Sequence, residues 1–85
     1  MEMQVSRVFK FDGEGPLKAM CDVTLGGQIV IKGFRIVNGR NGLFVGLPQE
    51  LGKNGKWYDR VQPLTDQTKQ ELTDTVLKAY EKDEA

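Results

Sequence analysis

Between Leu17 and Leu25 apolar and polar residues alternate: Leu17, Ala19, Cys21, Val23 and Leu25 fall in one register, and Lys18, Met20, Asp22 and Thr24 in the other. A period of two sends successive side chains to opposite faces, so the segment predicts a half-buried strand. Gly26-Gly27 follows. A glycine pair supplies the positive φ angles of a tight turn, so Gln28-Ile29-Val30-Ile31-Lys32 is expected to fold back antiparallel. Gly33 interrupts that run before Phe34-Arg35-Ile36-Val37, as a bulge or bend does. Asn38-Gly39-Arg40-Asn41-Gly42 contains two Asn-Gly pairs, a strong turn signal, and Leu43-Phe44-Val45-Gly46-Leu47 predicts a further strand ended by Pro48.

The flanking segments carry weaker patterns. Met3 to Phe11 predicts another strand with Val5, Phe9 and Phe11 in step and Arg7 as the misfit. Gln49 to Gly55 has no apolar period and reads as an exposed loop or hairpin, leading into a short strand at Trp57-Tyr58-Asp59-Arg60-Val61. After Pro63 the period changes. Leu72, Val76 and Ala79 or Tyr80 recur at spacings of three and four, with Leu77 widening the stripe, which predicts a helix from about Asp66 to Lys82. Thr65 or Thr68 can cap its start, Thr68-Lys69-Gln70-Glu71 has the form of a capping box, and Asp66 suits the positive end of the helix dipole. The stripe must be buried, and the available surface is one face of the sheet. The expected fold is therefore α+β, a small antiparallel β-sheet of four to five strands packed by a C-terminal α-helix. The tail Asp83-Glu84-Ala85 reads as solvated.

Composition narrows the possibilities. A chain of 85 residues supports one domain, here 1-85, and a fold this small gains stability when a second subunit covers apolar area, so a homodimer is expected. There is no run of about 18 apolar residues, and Met1-Glu2-Met3-Gln4 has neither the basic start nor the apolar block of a leader; the expectation is a cytoplasmic protein with no membrane segment. Cys21 is the single cysteine and histidine is absent. A zinc site needs thiolates or imidazoles in number, and Ser/His/Asp or Cys/His catalysis needs an imidazole base. No catalytic residue, no metal site and no cofactor is therefore expected, and Cys21 reads as a small buried apolar residue on its strand. Glu14, Asp22, Glu50 and Asp59 lie on different elements with no spacing that would fix a catalytic carboxylate pair. Gly39-Arg40-Asn41-Gly42 lacks the spacing and the following helix of a phosphate loop and is read as a turn.

Net charge is zero, but it is unevenly spread. Residues 1 to 61 carry nine Lys or Arg against six acids, and the remainder three against six. From Lys32 to Arg60 the balance is six bases, Lys32, Arg35, Arg40, Lys53, Lys56 and Arg60, against Glu50 and Asp59. The segment also holds Trp57 and Tyr58. Mobile cations displace the counterions condensed on phosphates, and aromatic rings offer stacking platforms to unpaired bases, so this is the candidate nucleic-acid surface. Trp57 and Tyr58 are adjacent and should point to opposite faces of a strand, which places at least one of them in the core.

The run Asn38-Gly39-Arg40-Asn41-Gly42-Leu43-Phe44-Val45-Gly46-Leu47-Pro48 resembles the signature of the stage V sporulation protein G (SpoVG) family. Gly15 through Leu25, Phe34-Arg35-Ile36-Val37, Tyr58-Asp59-Arg60-Val61-Gln62-Pro63 and Val76-Leu77-Lys78-Ala79-Tyr80 fall at the family's order and spacing, so the resemblance covers roughly residues 5 to 82. It implies a cytosolic bacterial protein with a small antiparallel sheet and a C-terminal helix, usually dimeric, whose relatives bind DNA or RNA and influence septation, sporulation or gene expression. The resemblance also implies that the segment after the proline, here Gln49 to Lys56, contributes to nucleic-acid contact. Gln49-Glu50-Leu51 stands where relatives carry a Ser-Lys-Arg-like run, while Lys53, Lys56 and Arg60 keep positive charge. The alternative expectation is a protein-interaction module in septation that docks a partner on an exposed strand edge or on the Gly42 to Pro48 hairpin.

Overall fold

The computed structural model describes residues 1–83. Its elements are β1 (Met3–Lys10), β2 (Leu17–Leu25), β3 (Ile29–Gly39), β4 (Gly42–Gly46), β5 (Gln49–Leu51), β6 (Trp57–Asp59) and α1 (Asp66–Asp83). β1 to β4 form an antiparallel meander in chain order, while β5 and β6 pair separately as a small hairpin. The architecture is α+β, as the alternation and the helical stripe predict.

The turns form where their chemistry allows. Gly26 and Gly27 take φ of 58° and 67°, and the Gln28 N–H closes the turn on the Leu25 carbonyl at 3.1 Å. Gly33, at φ 100°, is the extra residue where the β2–β3 register shifts, so the expected bulge is present. It keeps Phe34 opposite Cys21 and Lys32 opposite Asp22, so these two side chains of β3 serve opposite faces.

The core is a single layer between sheet and helix. Ala19, Cys21 and Val23 from β2 and Phe34 and Ile36 from β3 meet Leu72, Val76 and Tyr80 from α1, all buried. Full burial of side chains such as Phe34, Ile36 and Val76 contributes about 1.5–3 kcal/mol each. α1 starts at Thr65, the cap chosen from the two candidates: its Oγ1 accepts the Thr68 N–H at 3.1 Å, and its carbonyl accepts the first helical bond, from Lys69, at 3.1 Å. The tail positions Glu84 and Ala85 lie outside the described residues.

β1 departs from its simple alternation. Val5 pairs with Val23 and Arg7 with Asp22, so Ser6 is the extra residue of a bulge. Val8, opposite Cys21, then packs on the core, while Phe9 and Phe11 are left about half exposed. The same bulge accounts for the Arg7 misfit: its guanidinium lies on the opposite face, 4.4 Å from the centroid of the Phe9 ring. Lys10 turns the other way and places its ammonium 5.1 Å from the ring of Tyr80 on α1.

Candidate functional site

With α1 on one face, the four-stranded sheet presents its other face without a helical layer. By register this open face carries Arg7 and Phe9 from β1, Met20 and Asp22 from β2, Lys32 and Arg35 from β3, and Gly46 from β4. Asp22 is buried, with Arg7 and Lys32 beside it on the two neighbouring strands. Three cations therefore share this face with one acid, and the acid is the most enclosed of the four.

Arg35 is held flat. Its Nη2 donates to the Leu47 carbonyl at 3.2 Å, and a Cβ on Gly46 would lie 2.6 Å from that nitrogen, so the guanidinium rests on bare backbone. One of the five guanidinium N–H donors is used in that bond. Beside it the chain turns at Leu47-Pro48 into β5, and Pro48 packs against Gly33 with a Cβ on that glycine 3.6 Å from its own. The result is a cleft of about 370 Å³ with Lys32 and Arg35 on its sheet side, Met20 at its floor and Gln49 and Trp57 on its hairpin side.

The β5–β6 hairpin is ordered by its own polar groups. Gly52 N–H donates to the Lys56 carbonyl at 2.7 Å, Gly55 N–H to the Gly52 carbonyl at 3.0 Å, and Lys56 N–H to Asn54 Oδ1 at 3.0 Å. Asn54 Nδ2 also donates to the Tyr58 hydroxyl at 2.7 Å, laying that ring over Gly52, where a Cβ would come within 2.7 Å of it. The Arg60 N–H ties the hairpin back to the Pro48 carbonyl at 2.8 Å. Neither aromatic enters the core, contrary to the expectation from alternation: Trp57 is 63% and Tyr58 47% exposed. Alternation implies a core only when a second layer covers one face, and this two-stranded hairpin has none. Tyr58 packs on its own hairpin, and Trp57 faces the cleft.

The six cations are thus not equivalent. Lys32 and Arg35 come together at the cleft, with Lys56 next in the chain to Trp57. Lys53 sits in the β5–β6 turn and is exposed. Arg60 forms an ion pair with Glu50, both side chains 61% exposed, and Gln49 Nε2 donates to Asp59 at 2.8 Å. The hairpin's positive charge is therefore partly offset by residues in the same segment. Arg40 stands alone in the two-residue turn between Gly39 and Gly42. It is eight positions beyond Lys32 along one strand, roughly 25 Å at ~3.3 Å per residue. Sequence reasoning missed Arg7 and Met20; no signal in the sequence joined Arg7 to this face, because the Ser6 bulge sets its direction.

A helix-backed sheet whose free face bears cations and exposed aromatics defines a small α+β protein with a basic open side. Comparison with known proteins makes this specific. The SpoVG family model matches residues 1–82, and the chain belongs to that family. It is 34% identical over 83 residues, 98% of both chains, to a protein of Archaeoglobus fulgidus named "Putative septation protein SpoVG". Proteins of the same name in Thermoanaerobacter sp. (strain X514) and Clostridium perfringens (strain SM101) are 34% and 33% identical over 82 and 76 residues. Those matches cover 96% and 89% of this chain and 89% and 84% of the relatives. No helix among the described residues is long and apolar enough to cross a membrane.

Proposed function

We propose that the chain is a non-enzymatic, cytoplasmic regulator that binds DNA or RNA as a homodimer. The contacts come from Lys32, Arg35, Arg40, Lys53, Lys56 and Arg60. The observation that carries this reading is the convergence of Lys32 and Arg35 with Trp57 at one cleft, beside the Lys53 to Lys56 turn. Cations supply the phosphate contacts that dominate such affinities, and their number sets the salt dependence. The Arg60–Glu50 pair does not remove Arg60 from the set, because exposed ion pairs are worth about 0–1 kcal/mol and a phosphate can replace the carboxylate. The names of the relatives support a part in septation.

The test is a salt titration of binding to single-stranded DNA, double-stranded DNA and RNA. A linear fall of log affinity with log salt is the expected result, with a slope of about 0.7–0.9 per phosphate engaged. No binding to any of the three at low salt would remove the reading.

Dimerisation is supported by the surface left bare. Phe9, Val30 and Phe44 are each about half exposed, and β1 and β4 end the sheet with unpaired edges. Light scattering should give twice the 9.5 kDa chain mass at micromolar concentration; a monomer there contradicts it. The same free edges favour the second reading, a protein-interaction module in septation, whose association would survive nuclease and high salt.

A further inference from the structure

Trp57 is the one tryptophan of the chain and keeps 63% of its surface in water. It is held there by a hairpin whose bonds fix its backbone, opposite Leu51 and facing Lys32 and Arg35 across the cleft. Resting on the nucleic-acid reading above, we infer that this cleft is a pocket for one unpaired nucleobase. The base stacks on the Trp57 indole, and the adjoining phosphate sits against Lys32 and Arg35.

Three observations select an unpaired base over a duplex. First, the cleft is about 370 Å³, near the lower end of the ~300–1,000 Å³ typical of small-ligand pockets, which suits one ring system better than a grooved polymer. Second, an indole stacks on a base only when the face of that base is free, and in a duplex both faces are covered by neighbouring pairs. Third, the element that usually reads a duplex is unsuited to it. α1 spends its apolar stripe on the core, and its solvent side carries Asp66, Glu71, Asp74 and Glu81 beside Lys69, Lys78 and Lys82. The acids repel phosphates, whereas the open face carries Arg7, Lys32 and Arg35 against the buried Asp22.

The position of Arg35 adds selectivity for a phosphate at a defined distance from the ring. One donor is bound to Leu47, and the group cannot drop toward β4 because it already lies on Gly46. Met20 offers a polarizable apolar floor for the edge of the base.

The experiment uses the full chain, W57A and W57F with three probes: a short oligothymidylate, an abasic strand with the same number of phosphates, and a duplex of equal length. Anisotropy of the labelled probe reads affinity, and the indole fluorescence of the full chain reports stacking. The oligothymidylate is expected to quench the indole and the abasic strand to leave it unchanged. W57A should weaken oligothymidylate binding roughly five- to a hundredfold with the abasic strand unaffected, and W57F should recover most of the loss. Because Trp57 is exposed, W57A should melt as the full chain does, which circular dichroism checks. Binding of all three probes with an unquenched indole, or an equal loss on all three in W57A, overturns the base pocket and leaves phosphate contact standing. Absence of binding by every probe removes the nucleic-acid reading and the pocket together.

Discussion

V76D is expected to destroy cooperative folding at neutral pH. Val76 is fully buried at the centre of the α1 contact, among Val23, Phe34, Ile36 and Leu72 of the same core cluster. A carboxylate there loses its water and gains no cation. Burial of an unpaired charge belongs to the class of substitutions that costs more than about 4 kcal/mol, against a total stability on the order of 5–10 kcal/mol for a domain of this size. The loss is amplified because this sheet has one helical layer and no alternative cover for the inner face. V76A provides the graded control: it removes two methyl groups at about 0.8 kcal/mol each and leaves a small cavity, so about 2 kcal/mol and roughly 10 °C of melting temperature are expected. Thermal unfolding followed by circular dichroism reads both. A cooperative V76D melt within a few degrees of the parent would mean that α1 does not dock through this stripe.

The success of the helix and strand readings and their failures share one cause. β2 was legible because Ala19, Cys21 and Val23 face a layer that exists, so alternation and burial coincide. α1 was legible because Leu72, Val76 and Tyr80 meet that same layer, and because Thr65 marks its start with a side-chain oxygen. At Trp57 and Tyr58 the same alternation misleads, since the hairpin that carries them has water or its own backbone on each side. At β1 the inward set changes from Phe9 and Phe11 to Val8 because one residue, Ser6, is inserted opposite β2. A bulge is a property of two strands together, and a single strand's pattern does not encode it.

The candidate site was legible as composition but not as arrangement. Six cations between positions 32 and 60 are visible in the sequence, whereas their separation into a cleft pair, a hairpin group and a lone Arg40 follows from strand length and topology. Glu50 reads in sequence as a departure from the family's basic run. In the folded hairpin it lies against Arg60, ten positions away, a contact that exists only once β5 and β6 pair. Asp22 is similar: it takes the polar register of β2, yet it is enclosed on the open face, between the strands that carry Arg7 and Lys32.

This uneven offset sets the size of the second large effect, the loss of nucleic-acid binding in K53A/K56A/R60A. Lys53 and Lys56 have no acid partner among the described residues, so each phosphate contact they lose should lower the slope of log affinity against log salt by about 0.9 on duplex and 0.7 on single strands. Arg60 contributes less, because the Glu50 carboxylate already offsets its charge and a phosphate must displace that partner. A slope reduced by about 2 and an affinity at least about tenfold weaker at low salt are the expected results. Folding should survive. The three substitutions keep the backbone bonds from Gly52 to Lys56 and from Arg60 to Pro48, and the one ion pair lost is exposed and worth no more than about 1 kcal/mol. Electrophoretic mobility shifts across a salt series, run beside a thermal melt, decide the matter. Equal binding and an unchanged slope in the folded triple variant would show that the hairpin takes no part, and any polyanion would then have to be held by the open-face cations Arg7, Lys32 and Arg35 and by Arg40.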